Sequence, residues 1–292
     1  MRRRFWKKMY IGLALVAFAL YGLTYAPARS CVTAQESSAE RFQKSFPLTP
    51  GSTVKVENYK GKILLDSWEK SEVSVEVFKN YLGDSGGRTR WLSDTRVDFV
   101  TSSGRLAIKV EYPHNRHDGH YDYEDNIYGE VELTIHLPRR VNLDLNAYKS
   151  EIGIRAIEGD IHIESYKSPI DIQSTVGAIK IDTYKEGIKL KDVSIKKSLF
   201  IKIYKGEVDV DAREIGDSIT FDTYKADVVM RLPESIRLTI NMDGSKHADF
   251  ESDFPVTLSS RLGGDAMQGT VNGGGSPLHF KTYKGSLALR RR

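Results

Sequence analysis

Apolar residues recur along this chain in pairs two apart, set around a repeated Tyr-Lys dipeptide. The dipeptide occurs seven times, at Tyr59-Lys60, Tyr148-Lys149, Tyr166-Lys167, Tyr184-Lys185, Tyr204-Lys205, Tyr224-Lys225 and Tyr283-Lys284. The middle five are separated by 18, 18, 20 and 20 residues. With the tyrosine as position zero, positions −5 and −3 are Val54/Val56, Leu143/Leu145, Ile161/Ile163, Ile179/Ile181, Leu199/Ile201, Ile219/Phe221 and Leu278/Phe280. Positions +4 and +6 are Ile63/Leu65, Ile152/Ile154, Ile170/Ile172, Ile188/Leu190, Val208/Val210, Val228/Met230 and Leu287/Leu289. All 28 are apolar in a chain that is 40% hydrophobic.

A spacing of two marks one buried face of a strand. The step from −3 to +4 is odd, so the alternation changes phase at Tyr-Lys, and a turn is expected there. Each unit then reads strand, turn, strand, with a second corner near Gly159, Gly177 and Gly216. The 20-residue units are expected to carry their two extra residues ahead of that corner. One unit cannot stand alone: a buried side chain contributes roughly 1.5–3 kcal/mol, while each ordered backbone residue costs roughly 1–2 kcal/mol. Stacking the units lets each cover the next. The expected fold is therefore all-β, a parallel β-solenoid of 18–20-residue coils with inserted hairpin and loop segments.

The regular stack is expected over residues 147–240. Residues 80–146 interrupt it. Within them, Arg96–Phe99 and Leu106–Val110 alternate about Ser102-Ser103-Gly104 as a hairpin, a polar loop covers 113–126, and Val131, Leu133 and Ile135 form a further strand ended by Pro138. Residues 241–275, rich in glycine, break the rhythm again, and Leu278–Leu289 restores it. Both breaks are natural caps for a stack. Trp68 is read as a packing plug and Arg290–Arg292 as a solvated tail.

The N-terminus is of another kind. Arg2, Arg3, Arg4, Lys7 and Lys8 precede an apolar run from Met9 to Leu23, followed by the small-residue patterns Ala26-Pro27-Ala28 and Val32-Thr33-Ala34. Residues 1–34 read as a signal peptide or an N-terminal membrane anchor, and 35–50 as a polar linker to a domain over 51–292. Either reading exports the body to the periplasm, cell surface or medium. Cys31 is the sole cysteine, so no internal disulfide forms, and Arg29 spoils a lipidation box before it. The formal charge of +4 resides in the leader: beyond residue 34 the chain holds 37 basic and 39 acidic residues. A near-neutral body gives no electrostatic case for nucleic acid.

Val56-Glu57-Asn58-Tyr59-Lys60-Gly61-Lys62-Ile63, with Trp68 and Glu72-Val73-Ser74-Val75 after it, resembles the bacterial putative-adhesin family of β-strand-repeat domains. The closing Gly269-Thr270-Val271-Asn272-Gly273-Gly274-Gly275 and Thr282-Tyr283-Lys284-Gly285 is similar to that family's end. The resemblance spans residues 50–292, with Tyr-Lys where members carry Asn-Gly. It implies an exported β-solenoid with an adhesive role and supplies no catalytic residues.

Three groups are candidate sites. Tyr148, Tyr166, Tyr184, Tyr204 and Tyr224 would stack at the strand spacing beside Lys149, Lys167, Lys185, Lys205 and Lys225. This column is either a binding strip for a glycan or a cell-surface protein, or a structural seam. The acids at position −2, Glu57, Glu164, Asp182 and Asp222, are placed to pair with those lysines, which would otherwise repel one another. His114, His117 and His120, with Asp118 and Asp122, form a weak metal candidate in a polar loop. Asp171, Asp209 and Asp211 are outward acids of the kind a polysaccharide-active β-helix enzyme clusters, but they interleave with Lys180 and Lys189, and no nucleophile, zinc or phosphate-loop motif is present. The reading is an exported, non-enzymatic surface or envelope protein without cofactor, touching membrane only through its N-terminus. A polysaccharide-active enzyme and a purely structural or sensory envelope protein are the alternatives.

Overall fold

The alternation read from the sequence decides which side chains point inward, and the backbone follows it. The computed structural model describes residues 39–84, 86–113, 128–244, 248–262 and 266–292; the export segment, Cys31 and the His114, His117 and His120 loop lie outside them. Residues 37–292 form one compact unit. Within it, β1 (Ala39–Pro47), β2 (Thr53–Trp68) and β3 (Glu72–Tyr81) precede a short helix α1 (Arg88–Asp94), the hairpin β4 (Arg96–Ser102) and β5 (Arg105–Glu111), and β6 (Gly129–Pro138). The repeats follow as β7 (Asn142–Arg155), β8 (Ile161–Ser165), β9 (Ile170–Gln173), β10 (Val176–Lys185), β11 (Ile188–Ile215) and β12 (Ser218–Leu232). The chain closes with β13 (Leu238–Gly244), β14 (Ala248–Ser252), β15 (Val256–Leu262), β16 (Ala266–Val271) and β17 (Ser276–Arg291). The fold is all-β.

Successive repeats pair in parallel at the repeat offset. Leu143 lies against Ile161, Ile161 against Ile179, Ile179 against Leu199, and Leu199 against Ile219. The 28 apolar positions at −5, −3, +4 and +6 are each at most 2% exposed. Inward positions thus form continuous columns, and the strands of each unit pair with those of its neighbour. The hairpin β4–β5 forms as the alternation predicts, with Ser102 opposite Arg105.

Several details depart from expectation. The phase change at Tyr-Lys is present, but β2, β7, β11, β12 and β17 run through it without ending. In four units position +2 takes a positive φ at the bend: Gly61 121°, Glu186 90°, Gly206 156° and Gly285 154°. A Cβ at Gly285 would fall 2.0 Å from the Ala226 carbonyl oxygen, so only glycine lets two units approach there. The two extra residues of the longer units sit just past the second corner: Gly177 pairs with Ile195 but Ile179 with Leu199, so Lys196 and Lys197 carry the insertion. Residues 35–50 are not a linker throughout, since β1 pairs with β3 along its whole length and buries Leu48 just beyond its end. The C-terminal arginines are anchored rather than free: Arg290 pairs with Asp253 at 3.1 Å, and Arg292 with Asp211 at 2.7 Å.

Tertiary pairing also joins units that are remote in sequence. β2 lies in register against β7, with Val54 opposite Leu143, and β17 against β12, with Ile219 opposite Leu278. The interrupting segments cover the outer edges. β5 and β6 pair with the two halves of β2, and β13 and β14 with the two halves of β17. An uncovered parallel edge would template pairing with other chains. Trp68 is half-buried and stands outside the core: its indole N–H donates to the Glu72 carbonyl at 2.8 Å and its ring stacks on His136 at 5.5 Å.

Candidate functional site

The residues at positions −2 to +1 meet on one corner because parallel pairing stacks identical positions at the strand spacing. The tyrosines form one ladder there. Ring centroids are 4.6 Å apart for Tyr59–Tyr148, 4.7 Å for Tyr148–Tyr166, 5.0 Å for Tyr166–Tyr184, 4.7 Å for Tyr184–Tyr204 and Tyr204–Tyr224, and 4.9 Å for Tyr224–Tyr283. The ladder therefore holds seven rings, the five candidates plus Tyr59 and Tyr283. Interplanar angles between 6° and 16° leave no gap for a ligand between rings. What a partner can reach is the row of ring edges and hydroxyls, most open at Tyr204 (40% exposed) and Tyr283 (52%).

One end of the ladder is sealed by Tyr112, which meets Tyr59 edge-on at 6.2 Å and is backed by Trp91 at 6.4 Å. The Tyr112 hydroxyl lies 2.5 Å from the Lys60 carbonyl oxygen and 2.9 Å from Asn58 Oδ1, and accepts the Val131 N–H at 3.2 Å. Burial pushes its pKa well above the ordinary phenol range. Sequence reasoning missed Tyr112 because it sits outside the repeat and reaches the corner only through β5.

On one flank of the ladder runs an open groove of about 640 Å³. Tyr184, Tyr204, Tyr224 and Tyr283 form one wall, Thr183, Thr223 and Thr282 line it from position −1, and Asp182, Lys202, Asp222, Lys281 and Asp243 add charge. The threonines were also missed, although their recurrence one residue before the tyrosine is visible in the sequence.

On the other flank runs the lysine row. Lys149, Lys167, Lys185 and Lys225 place their ammonium groups 5.1–5.6 Å from their own tyrosine ring centroids. The expected pairing with position −2 is not made. Glu57 holds Lys55 at 2.5 Å, Asp182 holds Lys202 at 3.3 Å, and Glu164 faces His162 at 3.5 Å. The side chains of Glu57, Glu164 and Asp182 thus meet other basic residues instead of the row. In water, adjacent ammonium groups at this spacing repel by roughly 0.8 kcal/mol.

The outward acids sit on a different face. Asp171, Asp209 and Asp211 share a hollow of about 250 Å³ with Lys189 and Arg231. Asp209 is paired with Arg231, Asp211 with Arg292, and Asp171 accepts from Gln173 at 2.9 Å. Among the described residues no three His, Cys, Asp or Glu side chains are grouped to hold a metal, and no helix is long and apolar enough to cross a membrane.

No family model matches the chain, and no curated protein matches it. Solved structures do. One is a putative cell adhesion protein from Clostridium sporogenes, 10% identical, covering 87% of this chain and 100% of that one, with a TM-score of 0.37. Another is a putative adhesin from Parabacteroides merdae, 8% identical, covering 86% and 96%, with a TM-score of 0.31. A third is a putative adhesin from Bacteroides fragilis, 9% identical, covering 87% and 97%, with a TM-score of 0.25.

Proposed function

We propose that this chain is an exported, non-enzymatic adhesin-type protein, a parallel β-solenoid that binds a glycan or cell-surface protein along its tyrosine–lysine corner. The observation that carries this is the repetition of one ring edge and one lysine at every stacked unit of that corner, with a threonine before the ring in three of them. A surface repeating at fixed spacing suits a partner that also repeats, and many weak contacts in series give avidity. The basic and apolar character of residues 2–23 supports export, with the N-terminal segment either removed or kept as an anchor.

The test uses ring-preserving changes. Tyr204→Phe with Tyr224→Phe removes two exposed hydroxyls and keeps the stack. Glycan-array and cell-binding signals of the full chain are expected to fall while the unfolding midpoint stays put. Undiminished binding would sink the corner as the site. A second reading, in which the ladder is only a seam, is favoured by the closed ring faces; under it the wild-type chain binds nothing on either assay.

A further inference from the structure

Resting on the reading that a partner lies along this corner, we infer its chemistry: a linear acidic polysaccharide carrying a carboxylate on each sugar, laid along the lysine row. The row runs from Lys60 to Lys284, one lysine per stacked unit. Lys60 stands opposite Lys149, Lys167 opposite Lys185, Lys185 opposite Lys205, Lys205 opposite Lys225, and Lys225 opposite Lys284. Seven positive charges thus lie in a line about 29 Å long at strand spacing.

Some other lysines of the repeats are paired across units. Lys196 is paired with Glu214 at 2.5 Å, Lys197 with Asp160 at 2.9 Å, and Lys202 with Asp182 at 3.3 Å, all across units. Among the described residues no carboxylate lies within 4.0 Å of any of the seven lysines of the row, and four of them face their own tyrosine rings instead. A row of like charges without counter-charge is an electrostatic strain that a polyanion of similar repeat relieves. A polyuronate has that repeat, since each sugar brings one carboxylate at a length comparable with the strand spacing. Its hydroxyls would meet the tyrosine hydroxyls beside the row, of which Tyr204, Tyr224 and Tyr283 are exposed. Duplex DNA fits less well, because its charge lies on two winding strands while the row is single and the body beyond the leader is near neutral.

The test is titration of the full chain with polygalacturonate at low and physiological salt. The wild type is expected to bind, more weakly as salt rises, and to ignore a neutral glucan of similar length. Changing Lys185, Lys205 and Lys225 together to Gln should weaken binding about tenfold or more, and changing them to Arg should restore it. The same charge change elsewhere, Lys180→Gln with Lys189→Gln and Lys191→Gln, should leave affinity within about twofold. An equal loss in that control, or equal binding of duplex DNA, overturns the proposal. If the array finds a partner that Tyr204→Phe with Tyr224→Phe weakens and the lysine changes do not, the binding reading stands and this inference falls. If the wild type binds no partner at all, the binding reading falls with it.

Discussion

Replacing Tyr184 by alanine removes the central ring of the ladder. Tyr184 stacks on Tyr166 at 5.0 Å and 6° and on Tyr204 at 4.7 Å and 13°. Each aromatic pair contributes about 0.5–1.5 kcal/mol beyond area burial, so the two stacks together are worth about 1–3 kcal/mol. Lys185, 5.3 Å from the ring centroid, adds up to about 1 kcal/mol. Tyr184→Phe keeps both stacks and should cost less than about 0.5 kcal/mol. Urea unfolding gives the totals, and hydrogen exchange at the Lys185 amide, which bonds to the Tyr166 carbonyl at 2.9 Å, reads the affected interface locally. A double-mutant cycle isolates the stack: Tyr184→Ala with Tyr204→Ala should show a coupling of about 0.5–1.5 kcal/mol. Tyr184→Ala with Tyr283→Ala should be additive within about 0.5 kcal/mol, because two rings intervene. No coupling between the neighbours, or a Phe variant as costly as Ala, would show that the rings are merely adjacent.

Three further outcomes follow from the packing. Gly285→Ala should destabilise by at least about 2 kcal/mol, since its Cβ meets the Ala226 backbone; Gly104→Ala, at φ 69° with open space around it, should cost about 1–2 kcal/mol, both read by urea midpoint. Phe221→Ala, at a fully buried −3 position, should cost about 3–5 kcal/mol, whereas Phe221→Leu should stay near 1.5 kcal/mol or less in the same assay. For Asp160, desolvation raises the carboxyl pKa, but the Lys197 ammonium and the Ala178 N–H outweigh it and hold the pKa below its ordinary value. Its stabilisation is therefore complete above the ordinary carboxylate value of 3.8 and is lost as pH falls through the lower folded value. Asp160→Asn should flatten the acid limb of the stability profile, measured as urea midpoints from neutral pH down to pH 2.5.

Every contact in the ladder and the lysine row depends on registry, and registry is where sequence and structure divide. The sequence alone determined the all-β class, the inward columns from Val54 to Leu289, and the phase change at each tyrosine, because side-chain period two and its slip are local properties of one strand. It also placed five tyrosines on one corner, since a spacing of 18 to 20 residues with parallel pairing admits little else. Only the tertiary structure decided that Tyr59 and Tyr283 join that column across long insertions, and that β5, β6, β13 and β14 close its ends. It alone gave Glu57, Glu164 and Asp182 other basic partners and left the lysine row without carboxylates. Those outcomes depend on which strand edges meet and on side-chain direction at a bend, and neither is written in the spacing of any one segment.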